Sequence, residues 1–193
     1  MLGTPVAERS PSFLTALATQ GEWIAADLVE EVSAVIHFRS MEKIHMARIK
    51  DSVFIQASPE KVHAFGADPE KWSSWFVGLG EAKSVEGDNS PGTVVTHSYL
   101  LAGMHIPVTT TVTEHRADAD GSFHWKGENS GLLAGWSTWD YVPRDGGTQV
   151  TLEMEYVVPG SALGKVADRL FIERSQERAA HHTLENLKQL MES

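Results

Sequence analysis

One long helix is predicted at the C-terminal end of the chain. From Ser161 to Met191 the sequence contains no proline, and its single glycine, Gly164, lies in the first turn. Pro159-Gly160 interrupts the preceding segment, and the Ser161 hydroxyl can cap the free N–H groups of the first turn. A helix of this length spans roughly 45 Å at 1.5 Å per residue. The rest of the chain is therefore predicted to pack around it.

The apolar residues of this predicted helix recur at close to the 3.6-residue period of a helix with one buried face. They are Leu163, Val166, Ala167, Leu170, Leu184, Leu187 and Met191. Between the two halves of this stripe, the same face carries Arg174, Glu177 and His181. This polar row permits two interpretations: a functional site that faces an internal space, or a solvated patch with a structural Arg174–Glu177 pair.

Composition and charge limit the class of protein. Hydrophobic residues at 41% and charged residues at 22% are ordinary for a globular protein, and 193 residues predict one domain with an appendage. The formal net charge of -10 argues against nucleic acid or an anionic membrane surface as a partner. The absence of cysteine excludes disulfides and thiolate chemistry. No membrane span or signal peptide is visible, so a cytoplasmic protein is expected.

The first 45 residues differ from the rest of the chain. A helix is predicted over 22–38, with its apolar residues on one side. Three interpretations remain open for this segment: an amphipathic arm that docks on the domain or on a partner, an over-extended start before a true Met46, or a remnant of expression at His45-Met46. We therefore predict an N-terminal extension over 1–45 and a domain over 46–193.

The start of the domain predicts one strand followed by two short helices. Val53-Phe54-Ile55 has the pattern of a first strand. Ser58-Pro59-Glu60 supplies an N-cap, a proline at the first helical position and an acid in the first turn. Asp68-Pro69-Glu70 repeats this pattern and predicts a second short helix that ends near Gly78.

The middle of the chain predicts six further strands. They are placed at 81–86, 93–101, 106–115, 122–126, 135–142 and 148–158, with a loop at 127–131. The last of them alternates apolar and polar residues with period 2, which indicates one buried and one solvated face. Successive hairpins predict a seven-stranded antiparallel meander, with the long helix lying across its concave face.

Three segments carry a resemblance to a known family. They are Ile55-Gln56-Ala57-Ser58-Pro59-Glu60-Lys61-Val62, then Asp68-Pro69-Glu70-Lys71-Trp72 with Trp75-Phe76, and finally Glu155-Tyr156 to Pro159-Gly160 with Thr183 to Lys188. Together with the element order, they resemble the START and plant-allergen superfamily, SRPBCC, and within it the bacterial polyketide cyclase/dehydrase-like group. The resemblance implies an α+β helix-grip fold over about 47–192. It also implies lipid transfer, hormone binding or polyketide cyclisation as the range of functions.

A curved sheet does not close fully against one helix, so this fold implies an internal cavity with mostly apolar walls. The predicted ligand-binding residues are Trp72, Trp75, Phe76, Tyr99, Trp125, Trp136, Met154, Tyr156 and Leu170. Six tryptophans against three tyrosines favour a flat, largely apolar ligand such as a polyketide, lipid, sterol or other aromatic or isoprenoid metabolite. Alternatively, these rings fill the space as core. Strand alternation means that Trp136 and Trp139 do not both face inward.

The alternative function is catalysis by Arg174, Glu177 and His181. If this row faces the cavity, Arg174 polarises a carbonyl while Glu177 or His181 transfers protons, as an intramolecular aldol cyclisation or dehydration requires. The strand residues that are candidates to complement the row are His97, Tyr99, His124 and Asp140. A third hypothesis is an interaction protein in which the helix over 22–38 docks a partner.

Common metal, nucleophile and nucleotide motifs are absent from the sequence. The nine histidines lack metal-ligand spacing, and no H-E-x-x-H, G-x-S-x-G, phosphate-binding or dinucleotide fingerprint occurs. No metal and no cofactor are therefore expected. The expected partner is a small hydrophobic ligand, without nucleic acid and without integral membrane association. The sequence is compatible with a homodimer.

Overall fold

The structure is a computed structural model that describes residues 46–101, 103–157 and 169–193. The predicted helix over 22–38 lies outside the described residues, as do the predicted helix start at Ser161 and the stripe residues Leu163, Val166 and Ala167. The division into a 1–45 extension and a 46–193 domain stays a prediction.

Seven strands form one antiparallel sheet in the part of the chain that the structure describes. They are β1 (Met46–Ile55), β2 (Ser84–Glu86), β3 (Val94–Leu101), β4 (Met104–Ala117), β5 (Phe123–Gly131), β6 (Gly135–Arg144) and β7 (Gly147–Val157). Their order is β1-β7-β6-β5-β4-β3-β2, so β2 to β7 form a meander and β1 pairs with β7. The predicted seven-stranded meander is confirmed.

Side chains alternate between the two faces of the sheet, as pleated strands require. On the inner face of β7, Val150, Leu152 and Tyr156 are buried. On the outer face, Glu153 forms ion pairs with Arg48 and Lys50 of β1. The inner face therefore supplies the core, and the outer face is charged.

Two short helical segments follow β1. The first, α1 (Pro59–Gly66), begins as predicted, because the Ser58 hydroxyl accepts a hydrogen bond from the Lys61 N–H at 3.4 Å. The second is only a 3₁₀ helix over Trp72–Ser74, shorter than expected. The Asp68 carboxylate accepts the Glu70 N–H at 3.0 Å and so closes a local turn at the point where the sequence predicted a helix cap.

Strand β5 is longer than the sequence indicates. Residues 127–131, predicted as a loop because of their glycine and polar content, continue the strand and pair with β4. Gly127 lies directly beside the Trp125 ring, and a Cβ at this position would lie 2.8 Å from Thr110 Cγ2. The absence of a side chain at Gly127 therefore leaves room for the Trp125 ring on the inner face.

The long C-terminal helix, α2 (Arg169–Glu192), packs against β1, β7 and α1. The side chains that it buries are Ile172, Ala180, Thr183, Leu184, Leu187 and Met191. They join the hydrophobic core formed by the inner face of the sheet. The structure thus has the predicted helix-grip arrangement, a curved sheet with a long helix against its inner side.

Candidate functional site

A cavity of about 100 Å³ lies inside the fold. The segment around the 3₁₀ helix contributes Trp72, Trp75 and Phe76 to its wall. The inner faces of the strands contribute His97, Tyr99, Val108, Thr110, Trp125, Asn129, Trp139, Tyr141, Met154 and Tyr156. Helix α2 contributes Gln176. The wall is thus aromatic for the most part, with a few polar groups, as is usual for ligand sites.

Most of the predicted ligand-binding residues border this cavity. They are Trp72, Trp75, Phe76, Tyr99, Trp125, Trp136, Met154 and Tyr156. Leu170 does not belong to the wall, and 56% of its surface is exposed. His97, Asn129 and Gln176 border the cavity without having been predicted as ligand-binding residues. His97 was a candidate only to complement the helix row, and nothing in a single sequence separates Asn129 and Gln176 from other polar residues of the strands and the helix.

Strand alternation decides between Trp136 and Trp139. Trp139 is buried, as are Ser137 and Tyr141 on the same face of β6. Trp136 alternates with them, and its ring centroid lies 6.0 Å from the guanidinium carbon of Arg48, a residue of the charged outer face. Trp136 therefore belongs to the cavity wall, but its ring lies on the outer face of the sheet.

The predicted row on the C-terminal helix does not face the cavity. Arg174, Glu177 and His181 are exposed, and His181 Nδ1 lies 3.0 Å from Asp51 Oδ2 of β1. Leu170 shares their helical phase and is exposed as well. The expectation of a cavity-facing catalytic row is wrong, because the buried face of α2 follows Ile172, Ala180 and Leu184 and not Leu170.

Gln176, and not the predicted Arg174, is the residue of α2 in the described cavity wall. Its side-chain oxygen accepts a hydrogen bond from the Tyr99 hydroxyl at 2.8 Å, which ties β3 to α2 across the cavity. Burial raises the pKa of Tyr99. Burial also raises the pKa of Tyr156, with further contributions from Glu173, Tyr99 and Glu177. Both phenols are therefore neutral hydrogen-bond donors at physiological pH.

Four strand residues were candidates to complement the helix row. His97 and Tyr99 belong to the cavity wall, whereas His124 and Asp140 do not. His124 lies on the outer face, where its Nδ1 is 2.6 Å from Asp140 Oδ1 and its Nε2 is 3.6 Å from Glu114 Oε2. This outer pair belongs to a solvated charge network and does not reach the interior.

Edge-to-face contacts hold the aromatic wall in place. The Trp72 and Trp125 ring centroids are 5.5 Å apart at 82°, and those of Trp75 and Trp139 are 5.2 Å apart at 87°. The Trp72 indole donates a hydrogen bond to Gly66 O at 3.0 Å. Such T-shaped pairs are a favoured geometry of aromatic side chains. The rings therefore form a fixed apolar lining.

Unpaired polar atoms concentrate at this cavity. Among the described residues, four buried side-chain polar atoms lack a hydrogen-bond partner. Three of them, Trp75 Nε1, His97 Nδ1 and the Tyr156 hydroxyl, belong to residues of the cavity wall. Each of these residues is less than a tenth exposed. Because buried polar groups are almost always paired, this cluster indicates places for the polar groups of a ligand or for water.

Two further findings concern the described residues. No group of three or more His, Asp or Glu side chains in them is arranged to hold a metal ion. No helix within the described ranges is long and apolar enough to cross a membrane.

A family model matches residues 46–192, and its description is polyketide cyclase/dehydrase and lipid transport. The chain belongs to this family. The match covers the strands and helices described above, and it confirms the predicted resemblance. A comparison with curated protein sequences finds no match.

Solved structures share the fold of this family member at low sequence identity. The Zhui aromatase/cyclase from Streptomyces sp. R1128 has 19% identity and a TM-score of 0.61, over 77% of this chain and 94% of that one. The STAR-related lipid transfer protein (fragment 25-204) from Xanthomonas axonopodis has 14% identity and a TM-score of 0.61, over 76% and 86%. Ara h 8.0201 has 13% identity and a TM-score of 0.53, over 76% and 98%. At these identities the similarity shows the helix-grip fold alone.

Proposed function

We propose that this domain binds a small, largely apolar molecule in the cavity between the sheet and α2. The observation that carries the proposal is the coincidence of an aromatic wall with three unpaired polar atoms of wall residues at one cavity. A purely structural core would satisfy or omit these polar atoms, because each unpaired one costs about 1–3 kcal/mol. A ligand that supplies their partners removes that cost.

The size of the cavity bears on the kind of ligand. Its volume is about 100 Å³. An apolar cavity of about 150 Å³ accommodates benzene. The cavity as it stands therefore favours a molecule of about one ring. Polyketides, sterols and long acyl chains, which the sequence brought into consideration, exceed this volume.

The proposal is tested by filling the cavity. Val108 lies in the wall on β4 and is 4% exposed, whereas its neighbour Thr109 lies on the opposite face of the same strand. In Val108→Phe the added ring occupies the ligand space, so saturable binding of toluene and phenol in ligand-observed NMR titrations is expected to disappear. Overpacking is expected to lower stability by about 1–3 kcal/mol without unfolding the domain.

The matched control is Thr109→Phe, which adds the same ring on the outer face and is expected to bind both probes as the unmodified protein does. Circular dichroism verifies that both variants fold. Absence of binding to the unmodified protein, or equal binding by Val108→Phe and Thr109→Phe, contradicts a ligand site in this cavity.

A further inference from the structure

Three wall residues form a hydrogen-bonded chain across neighbouring strands. Thr110 Oγ1 lies 2.7 Å from Asn129 Oδ1, and it also lies 3.5 Å from His97 Nε2. Asn129 is on β5, Thr110 on β4 and His97 on β3. The other ring nitrogen of His97, Nδ1, is buried and has no partner. The chain therefore ends at a ring nitrogen of a cavity-wall residue that has no hydrogen-bond partner.

The direction of the hydrogen bond from Thr110 to Asn129 points to one tautomer of His97. A threonine hydroxyl has one proton, and Thr110 donates it to the Asn129 carbonyl oxygen. Thr110 Oγ1 is then an acceptor toward His97, so the imidazole proton is on Nε2. Burial, with a smaller contribution from Lys83, lowers the pKa of His97, which is therefore neutral at physiological pH. Its Nδ1 is left with a free lone pair.

The other two unpaired groups of the wall have the opposite character. The indole of Trp75 is only a donor. The hydroxyl of Tyr156 is neutral and has a proton to donate. Among the three unpaired polar atoms of the described cavity wall, His97 Nδ1 is thus the one that only accepts, since the Tyr156 hydroxyl both donates and accepts. A ligand that satisfies it needs a donor group.

We propose that His97 Nδ1 selects ligands that carry a hydroxyl or enol group, whose proton it accepts, with Thr110 as the positioning residue that holds the tautomer. The inference rests on the proposed function and specifies its ligand class. A second polar atom on the ligand, such as a carbonyl oxygen, is the complement of the Trp75 and Tyr156 donors. The selected ligand is therefore a hydroxylated apolar molecule, not a hydrocarbon.

The first test is the tautomer itself in the ligand-free, full-length protein. Long-range ¹H–¹⁵N NMR of the histidine rings reports which nitrogen carries the proton. We expect His97 to be protonated on Nε2 and bare at Nδ1. In Thr110→Val, which keeps the side-chain shape and removes the acceptor, this preference is expected to weaken. A proton on Nδ1 of His97 in the unmodified protein overturns the inference whether or not any probe binds.

The second test uses phenol and toluene, which have nearly the same shape and differ in the donor group. The measured quantity is the ratio of the two dissociation constants, obtained from NMR titrations. The phenol preference is expected to fall about 5-fold in His97→Phe and in Thr110→Val, as the loss of one hydrogen bond implies. The control Thr111→Val, on the outer face of the same strand, is expected to leave the ratio unchanged.

The outcomes separate this inference from the proposed function. Saturable binding of both probes with an unchanged ratio in His97→Phe and Thr110→Val overturns the selection by His97 and leaves the cavity as a ligand site. Failure of both probes to bind the unmodified protein overturns the proposed function, and the inference with it. If His97→Phe does not fold, the ratio in Thr110→Val and the tautomer measurement decide the question.

Discussion

At the residue scale, two histidines show how burial controls protonation. His63 Nε2 lies 2.8 Å from His115 Nε2, and His115 Nδ1 lies 2.6 Å from Asn89 O. A carbonyl oxygen only accepts, so His115 carries its proton on Nδ1 and His63 donates the bond between the rings. His63 also stacks on Phe123 with ring centroids 4.3 Å apart. His63 thus lies between another imidazole and an apolar ring, an environment that disfavours a positive charge on it.

This arrangement predicts a specific dependence of stability on pH. Burial, and secondarily His115, lowers the pKa of His63 to about 4. In the unfolded chain a histidine has a pKa near 6.5. Between these values the unfolded state binds a proton that the folded state does not, so stability is lost as the pH falls from about 6.5 toward about 4.

The measurement is the urea midpoint of unfolding at about pH 7 and about pH 5. His63→Gln keeps an N–H donor for His115 and removes the titrating group, so the decrease in midpoint between the two pH values is expected to shrink. His105 is exposed, and His105→Gln is expected to retain the full decrease. An undiminished decrease in His63→Gln contradicts the pKa assignment.

At the element scale, the attachment of α2 depends on its last turns. Leu187 is fully buried, whereas Leu190, one turn further on, is 41% exposed. Leu187→Ala is expected to lower the free energy of unfolding by about 2–5 kcal/mol, because it leaves a cavity in the core. Leu190→Ala, the matched control, is expected to change it by less than about 0.5 kcal/mol. Equal losses in urea unfolding contradict the helix orientation in the structure.

The sequence predicted the sheet better than the helix, for a physical reason. A strand has a side-chain period of 2, so one recognised face in β7 assigns Leu152 inward and Glu153 outward directly. In a helix, neighbouring positions are about 100° apart, and a stripe assigned through Leu170 selects Arg174 in place of Gln176. Arg174 and Gln176 point to different sides of the helix. Apolar periodicity alone does not decide which of these sides is buried when the middle of the stripe is polar.

The strand order identifies the two edge strands of the described sheet. With the order β1-β7-β6-β5-β4-β3-β2, the edge strands are β1 and β2. Strand β1 is packed against α2, and β2 has only three residues. A very short edge strand is one recognised way to prevent edge-to-edge association of strands.

At the scale of the whole molecule, the aromatic wall could be listed from the sequence, but the hydrogen bonding of its polar groups could not. Trp72, Trp75 and Trp125 were predicted from the fold resemblance and from strand patterning, and they border the cavity. His97 was one of nine histidines scattered along the chain. Its role follows from a chain of hydrogen bonds through Thr110 that joins three strands, and such cross-strand contacts are set by register.

The indole N–H of Trp75 reports most directly on whether the cavity is a ligand site. This donor is buried, unpaired and part of the cavity wall. In ¹H–¹⁵N spectra of the labelled protein, its signal is expected to shift saturably on titration with phenol. In Val108→Phe it is expected to stay in place under the same titration. A Trp75 signal that does not move in the unmodified protein, or that moves equally in Val108→Phe, contradicts a ligand site in this cavity.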